Sequence, residues 1–214
     1  MLAGVGAITI RKIFLPFFYF TKIEIYGKIK PPKGVYVMKL PDIIILDEVD
    51  KKLREKSKEV VFPLSKEDKE HIQDMITYLK MSQIPEYEEK YNLRAGMGLA
   101  YVQTGIPKRI FVIVEELEDG SFKDYIIINP KIISHSEEMI YVGEGEGCLS
   151  INREVEGIVP RFARITVLAQ DMDGNSFKIR VREDIAIAFQ HEIDHLNGIL
   201  FIDHIDPKNP FKDA

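Results

Sequence analysis

The chain has 214 residues, of which 45% are hydrophobic, and its formal net charge is −5 at pH 7. A chain of this length can bury a sizeable core, and its acidic balance gives no indication of nucleic-acid binding. The single cysteine excludes an internal disulfide framework and is compatible with a reducing cytoplasm.

The first 37 residues contain two apolar stretches that lie close to basic and aromatic residues. Arg11 and Lys12 separate the stretches and Pro16 interrupts the second, so each is shorter than the roughly 20 apolar residues that span a bilayer. No basic region precedes the first stretch and no small-residue cleavage site follows the second, so a signal peptide fits poorly. We expect residues 1–37 to form an N-terminal extension and residues 38–214 to form one domain.

An amphipathic helix is predicted after Ser65, which is a typical N-cap residue. Apolar residues then recur at the helical spacing that buries one stripe. They are Ile72, Met75, Ile76 and Leu79. Pro85 and the charged residues after it interrupt this helix, and residues 85–90 are interpreted as a solvated loop or a short helix.

Strands are predicted in the second half of the chain, at residues 109–114, 125–128, 165–169 and 177–181. Glycine-containing polar stretches at 118–120 and 173–175 are typical of hairpin turns. The last two strands are therefore expected to pair with each other.

The segment 183–198 is predicted to be a buried helix. Glu183 and Asp184 suit the positive end of a helix dipole, and Asn197 and Gly198 are typical of a left-handed end. Apolar residues occupy nearly all sides of its first two turns, which indicates a central helix instead of a surface helix.

Two histidines of this helix, His191 and His195, are four residues apart and therefore lie on one face with Cβ atoms about 5–6 Å apart. Glu192 points about 100° away from His191. An H-E-x-x-H helix uses this arrangement to bind a metal ion and to supply a general base for the water bound to it.

A catalytic site of this kind needs a third protein ligand and an open position for water. A metzincin would place a histidine where this chain has Phe201, and a thermolysin-like enzyme would need a downstream Glu, but none follows His195. The third ligand is therefore expected upstream. Cys148 is the only cysteine, and the glycines around it would let the backbone approach a ligand closely. A thiolate with two imidazoles favours a first-row transition metal, and by these residues alone zinc.

Three stretches of the sequence resemble, in order, the three signature motifs of peptide deformylases. They are GMGLAYVQ at 96–103, EGCLS at 146–150 and QHEIDH at 190–195. The resemblance extends from about residue 38 to residue 206, and the insert at 84–93 is similar to the longer, Gram-positive type of the family. With the predicted strands, it implies an α+β fold in which antiparallel β-sheets wrap around a central metal-binding helix that carries H-E-x-x-H.

The resemblance also implies a reaction, namely hydrolysis of the N-terminal formyl group of formyl-methionine on nascent polypeptides, with release of formate. Water bound to the metal would attack, and Glu192 would act as general acid and base. Gln103 and the backbone N–H of Leu149 would stabilise the oxyanion. The implied metal ligands are Cys148, His191 and His195. The implied substrate-binding residues are Met97, Gly98, Gly147 and Ile187.

The implied cofactor is one divalent transition metal, with Fe²⁺ as the working ion and Zn²⁺, Ni²⁺ or Co²⁺ also accepted by these ligands. The implied partners are formylated nascent peptides and the ribosome near its exit tunnel, in the cytoplasm, without nucleic-acid specificity or a membrane. Two alternatives stay open: a metalloprotease that cleaves internal peptide bonds, and a non-catalytic metal-binding relative that associates with the ribosome.

One departure from the family lies in the first motif, where Tyr101 and Val102 replace the usual Ala and Pro or Thr. The sequence alone leaves open how the packing around Tyr101 affects the orientation of Gln103. Asp194 is expected either to pair with Arg161 beside the metal site or to be solvated.

Met38 is a candidate for the biological start of the chain because the family resemblance begins there. Residues 33–35 can also be encoded by a purine-rich ribosome-binding sequence just upstream. The competing hypothesis is that the aromatic and basic residues before Met38 form a membrane-surface anchor. Intact-mass analysis of the native protein distinguishes them, since a first residue before Met38 would contradict the leader hypothesis.

Overall fold

A computed structural model describes residues 10–13 and 38–212 of the chain. The helices are α1 (Lys66–Ser82), α2 (Pro85–Tyr91) and α3 (Glu183–Leu196). The strands are β1 (Ile10–Ile13), β2 (Gly98–Ala100), β3 (Ile110–Glu116), β4 (Phe122–His135), β5 (Met139–Val142), β6 (Arg161–Phe162), β7 (Arg164–Gln170) and β8 (Ser176–Arg182). Short 3-10 helices span Lys51–Arg54, Tyr101–Thr104 and Phe201–His204. The predictions for residues 1–37 lie outside the described residues, except at β1.

Two sheets give the chain its α+β architecture, as predicted. One is a five-stranded antiparallel sheet in the order β2-β3-β4-β7-β8, and the other has the order β1-β5-β6. In the smaller sheet β1 runs parallel to β5, while β5 and β6 are antiparallel. The predicted pairing of 165–169 with 177–181 is confirmed, with Ile165 opposite Val181 and Ala169 opposite Phe177.

The five-stranded sheet is buried on both faces near β2 and β3. Because side chains alternate along a strand, Phe111 and Ile113 of β3 lie in the cluster that includes α3, whereas Ile110 and Val112 lie in the cluster that includes α1. The two helices therefore cover opposite faces of one sheet.

Helix α1 begins as the sequence predicted. The Ser65 hydroxyl accepts a hydrogen bond from the backbone N–H of Asp68 at 3.0 Å, which satisfies one of the free donors at a helix start. The predicted apolar stripe is buried against the sheet. Residues 85–91 form the short helix α2 instead of a loop, with Pro85 in its first turn and Asn92 in a left-handed conformation at its end.

Helix α3 follows β8 without a loop and ends before Gly198, whose φ is +77°. A Cβ atom at Gly198 would lie 2.5 Å from the carbonyl oxygen of Arg54, so the close approach of these segments requires glycine. Phe189 lies inside, with its ring edge-to-face against those of Phe111 and Tyr125. The predicted buried helix is confirmed.

Strand β4 is longer than predicted because it continues past Asn129 and Pro130 through two register shifts. Asn129 has a positive φ of 50°, and its side-chain amide bonds to both the N–H and the C=O of Val60, which supplies partners where the ladder is interrupted. The short strands β1, β2, β5 and β6 were not predicted. No helix in the described part of the chain is long and apolar enough to cross a membrane.

Candidate metal centre and active site

Three segments that are distant in the sequence meet at one cleft. Strand β2 and the 3-10 helix after it carry the first motif, the turn after β5 carries Cys148, and α3 carries the two histidines. The cleft has a volume of about 510 Å³. Its lining includes every predicted site residue except His195, which is buried and 1% exposed.

The three predicted ligands form a cluster that fits a metal ion. The donor atoms of Cys148, His191 and His195 all lie within 4.8 Å of one another, and Cys148 Sγ is 3.3 Å from His195 Nε2. A tetrahedral centre with one sulfur and two nitrogen ligands separates its donor atoms by about 3.3–3.6 Å. The residues present therefore suit a four-coordinate transition metal with one position open.

A buried carboxylate orients one of the histidines. His191 Nδ1 donates to Glu146 Oε2 at 2.8 Å, which leaves its Nε2 for a metal ion. Arg161 donates to both oxygens of Glu146, at 2.7 and 3.0 Å, and also to Asp194. Burial by itself would raise the pKa of Glu146, but Arg161 and His191 lower it to about 2. Glu146 is thus held as a carboxylate.

The ion pair between Arg161 and Asp194, one of two alternatives from the sequence, is present. Asp194 also accepts a hydrogen bond from His204 Nε2 at 2.8 Å. No role was predicted for Glu146, although it lies two residues before the predicted cysteine ligand. The only signal in the sequence was its place in the second motif, because the pairing with buried Arg161 is formed by the fold.

The pKa values of the two histidines are shifted in opposite directions. Burial lowers the pKa of His195 well below its ordinary value, with a smaller effect from His191, so its imidazole is neutral as a metal ligand must be. Burial acts in the same direction on His191, but Cys148 and Glu146 outweigh it and raise that pKa well above its ordinary value. The groups around His191 therefore attract positive charge to the position where a cation would bind.

Glu192 faces the cleft from α3 and is 3% exposed. Its Oε2 has no hydrogen-bond partner in the described part of the protein, and a Cβ atom at Gly98 would lie 2.3 Å from its Oε1. Burial raises the pKa of Glu192 to about 7. A carboxyl group of this pKa can both accept and return a proton near neutral pH.

Gln103 is buried, and its amide is fixed at both ends. Its Oε1 accepts from the backbone N–H of Ala100 at 2.8 Å, so its Nε2 must face the opposite way. Nε2 donates to Ser150 Oγ at 3.1 Å and lies 3.6 Å from Cys148 Sγ. An amide N–H group is thus held beside the Cys148 sulfur and the cleft.

Leu149 lines the same cleft immediately after the cysteine. Its backbone N–H makes no hydrogen bond to any residue that the structure describes, whereas the next N–H, of Ser150, bonds to Cys148 Sγ at 3.4 Å. A backbone donor without a partner in a cleft can serve a ligand.

Tyr101, which replaces the Ala usual in the first motif, packs away from the cleft. Tyr101 is fully buried on the α1 side, where its hydroxyl donates to the carbonyl oxygen of Asp68 at 2.8 Å and its ring lies against the edge of the His71 ring. Gln103, two residues later, points to the other side and keeps its contacts. This removes the one sequence feature that favoured a non-catalytic relative.

The predicted substrate-binding residues Met97, Gly98, Gly147 and Ile187 all line the cleft. The cleft also contains residues that the sequence analysis did not assign to it, among them Arg94, Val142 and Asp184. These three lie outside the signature motifs, so no pattern in the sequence connected them with the site.

Fold and site together define the chain as a metallohydrolase-type protein, with a Cys-His-His cluster, a buried carboxyl group beside it and two N–H donors at one cleft. Comparison with known proteins gives the family. The polypeptide deformylase family profile matches residues 43–211. The chain belongs to the polypeptide deformylase family.

Curated relatives cover most of the chain. Peptide deformylase 2 of Bacillus anthracis is 49% identical over 167 residues, which are 78% of this chain and 91% of that protein. The peptide deformylase of Latilactobacillus sakei is 52% identical over 170 residues, again 78% and 91% of the two chains. These relatives agree with the resemblance to the Gram-positive type.

Solved structures share the fold. The crystal structure of peptide deformylase from Thermotoga maritima is 33% identical, with a TM-score of 0.61, and the match covers 77% of this chain and 98% of that one. A class I type b peptide deformylase from Acinetobacter baumannii, in a crystal structure with Met-Ala-Ser bound, is 25% identical with a TM-score of 0.60. That match covers 76% of this chain and 98% of the other.

Proposed function

We infer that the chain is a metal-dependent hydrolase that removes the N-terminal formyl group from formyl-methionine of nascent polypeptides and releases formate. The observation that carries this conclusion is the combination at one cleft of the Cys-His-His cluster and Glu192, whose buried Oε2 has no partner among the described residues. A buried carboxyl group with an unpaired oxygen beside three metal-ligating side chains is suited to bind the water that attacks an amide.

Cys148, His191 and His195 would hold the metal ion. When bound, the ion would lower the pKa of a water molecule and polarise a carbonyl group. Sulfur and imidazole donors accept several divalent ions, and we propose Fe²⁺ as the working ion, with Zn²⁺, Ni²⁺ and Co²⁺ as ions that the same residues bind. Glu146 would keep the His191 ring in the orientation that leaves Nε2 for the ion.

Glu192 would act as the general base and then as the general acid. It would accept a proton from the attacking water and pass that proton to the amine nitrogen as the bond to the formyl carbon breaks. The pKa of about 7 in the metal-free protein, caused by burial, is suited to both directions of transfer. A bound cation would lower this pKa by its charge.

The side-chain amide of Gln103 and the backbone N–H of Leu149 would donate to the oxygen that becomes negative as the formyl carbon turns tetrahedral. The support is that Ala100 fixes the amide with Nε2 toward the Cys148 sulfur, and that the Leu149 N–H has no partner in the described structure. Such donors are effective because they are already oriented before the charge develops.

The substrate class is supported by the cleft and by the relatives. Met97 and Ile187 give the cleft apolar surface for an unbranched thioether side chain. Gly98 and Gly147 have no side chain, so a peptide can approach the protein backbone there. Met-Ala-Ser, which the Acinetobacter relative binds, is the product that deformylation of formyl-Met-Ala-Ser would leave.

We also propose that residues 38–214 form a single catalytic domain that works in the cytoplasm and associates with the ribosome near its exit tunnel. One face of the five-stranded sheet supports the association, because Lys178, Arg180 and Lys131 are exposed there and none pairs with a carboxylate in the described structure. Cosedimentation with ribosomes that persists in a Lys178→Glu/Arg180→Glu variant would contradict the use of this face.

The decisive experiment is formate release from formyl-Met-Ala-Ser by protein that has been purified anaerobically with ferrous iron. We expect release by the unsubstituted protein and a loss of about 10²–10⁴-fold for Glu192→Ala, with the metal content retained. Metal retention shows that the variant keeps its ligand cluster. A folded, metal-loaded protein that releases no formate would contradict the proposed function.

A further inference from the structure

Arg94 lies between α2 and β2, two residues before the first motif, and no signature motif includes it. Its guanidinium donates to three carbonyl oxygens of the turn that carries the cysteine. Nη1 bonds to the carbonyl of Ile151 at 2.8 Å, and Nη2 bonds to that of Cys148 at 3.1 Å and to that of Leu149. One side chain from a distant segment thus joins the whole of this short turn.

These contacts differ from an ordinary surface ion pair. In the part of the chain that the structure describes, Arg94 has no carboxylate within salt-bridge distance. A planar guanidinium with five N–H donors can bridge several carbonyls at once, which a lysine ammonium cannot do with the same geometry. The arrangement is therefore specific to arginine and to the backbone shape of this turn.

The bond to the Cys148 carbonyl has a direct consequence for Leu149. The carbonyl of Cys148 and the N–H of Leu149 belong to the same peptide group, and in a planar trans peptide they point in opposite directions. The Cys148 carbonyl also accepts the backbone N–H of Ile151 at 3.1 Å, so Arg94 and this turn bond together fix the direction of the Leu149 N–H. That N–H has no partner among the described residues and belongs to a residue that lines the cleft.

We propose that Arg94 is a positioning residue for the reaction: it orients the Cys148–Leu149 peptide so that the Leu149 N–H is aimed at the oxygen that becomes negative. The guanidinium charge beside the carbonyl also polarises the peptide and makes its N–H a stronger donor. This inference rests on the proposed function. It assigns no contact between Arg94 and the substrate or the metal ion.

Arg94→Met and Arg94→Lys test the inference, with Arg153→Met as the matched control. Arg153 follows the same turn and forms a bidentate pair with Glu48, at 2.8 and 3.1 Å, without touching the Cys148–Leu149 peptide. We expect Arg94→Met to lower kcat by about 10- to 100-fold, a part of the effect of losing an oxyanion donor, while KM stays within about twofold. Arg94→Lys should be impaired as well, and Arg153→Met should not.

Two further measurements separate positioning from general support of the turn. Metal content after gel filtration should be equal in all four proteins, because Arg94 contacts no ligand side chain. In ¹⁵N-labelled, Zn²⁺-loaded protein, the amide resonance of Leu149 should shift in Arg94→Lys and stay in place in Arg153→Met. Arg94→Lys keeps the charge and the aliphatic stem, so it provides the test if Arg94→Met does not fold.

Four results would overturn the inference. A rise in KM at constant kcat would make Arg94 a substrate contact, and loss of metal would make it a support of the cysteine ligand. Unchanged kcat and an unchanged Leu149 resonance in both Arg94 variants would leave it no role in the reaction. If the unsubstituted protein releases no formate, the proposed function fails and this inference with it. An active unsubstituted protein with equally active Arg94 variants refutes only the inference.

Discussion

The two faces of the five-stranded sheet have similar apolar clusters, but their buried polar groups differ in how completely they are hydrogen-bonded. Helix α1 covers one face and α3 the other, and each packs an apolar cluster against alternate residues of the same strands. Both sides also bury polar side chains. On the α1 side these groups have hydrogen-bond partners, whereas on the α3 side some of their atoms have none in the described structure.

On the α1 side, the buried polar groups are satisfied. Asp68 accepts two bonds from Lys108, at 2.7 and 2.6 Å, and its backbone carbonyl accepts the Tyr101 hydroxyl. Ser82 donates to the carbonyl of Leu79 and accepts from the N–H of Gly96. These contacts fix α1 to the sheet and give both buried side chains their hydrogen-bond partners.

On the α3 side, Glu192 Oε2 and His195 Nδ1 are buried without a hydrogen-bond partner, and among the described residues only Ser57 Oγ shares this condition. Leaving a buried polar atom unpaired costs about 1–3 kcal/mol, so a fold tolerates it where a ligand or water provides the missing bonds. The difference between the two faces thus locates the functional side without reference to any motif. The following substitutions test this contrast.

The largest effect is expected at the cysteine of the α3 side. Cys148→Ala removes one of three protein ligands, so the variant should lose its metal and its formate release, because the two histidines alone do not complete the site. Metal content after gel filtration measures the first loss. Ser150→Ala, in the same turn, should retain the metal. Stoichiometric metal in Cys148→Ala would refute the ligand assignment.

A smaller effect is expected at Glu146, whose carboxylate on the α3 side is paired with Arg161. Glu146→Gln breaks a bidentate pair in which Arg161 is 5% and Glu146 3% exposed, so the arginine is left buried without its full counter-charge. The free energy of unfolding should fall by about 3–5 kcal/mol, and metal affinity by about 10- to 100-fold. Denaturant unfolding and chelator competition measure the two quantities.

The control for that variant is Glu48→Gln, which breaks an equally bidentate pair with Arg153 at the surface, where the side chains are 20% and 55% exposed. Exposed pairs contribute about 0–1 kcal/mol, so the control should change stability little and metal affinity not at all. Equal losses in the two variants would show that burial of the Glu146 pair has no special effect.

The smallest effect is expected on the α1 side. Tyr101→Phe removes the hydroxyl that donates to the carbonyl of Asp68 and should lower the free energy of unfolding by about 1 kcal/mol. It should leave kcat unchanged, because Tyr101 does not line the cleft. Gln103→Ala, two residues further on, should lower kcat by about 10²–10³-fold. A large loss of kcat in Tyr101→Phe would mean that the two sides are coupled.

The Tyr101 contribution should also depend on pH. Burial, assisted by Asp68, raises the pKa of Tyr101, so the folded state favours the neutral hydroxyl. The hydroxyl therefore stabilises the fold below a pH of about 10, the pKa of an unfolded tyrosine, and this stabilisation is lost as the pH rises toward the folded-state pKa. Unfolding titrations of the wild type and Tyr101→Phe at pH 8 and pH 11 measure the difference.

Much of the fold could be predicted because its signals are local. The Ser65 cap, the apolar stripe of α1 and the Asn197-Gly198 end of α3 depend on neighbours within one or two helical turns. The extension of β4 past Pro130 could not be predicted in this way. It depends on Asn129 bonding to Val60, almost seventy residues away in the chain.

The sequence by itself determined which groups the proposed site has available. The spacing of His191, Glu192 and His195 on a helix fixes how two imidazoles and a carboxylate are presented, and a chain with one cysteine leaves one candidate for a sulfur ligand. Only the tertiary structure decided what surrounds that chemistry. It placed Tyr101 away from the cleft, paired Glu146 with Arg161 and brought Arg94 onto the cysteine turn. The physical reason is that such contacts join segments with no fixed spacing in the sequence, so packing and hydrogen bonding of the whole fold select them.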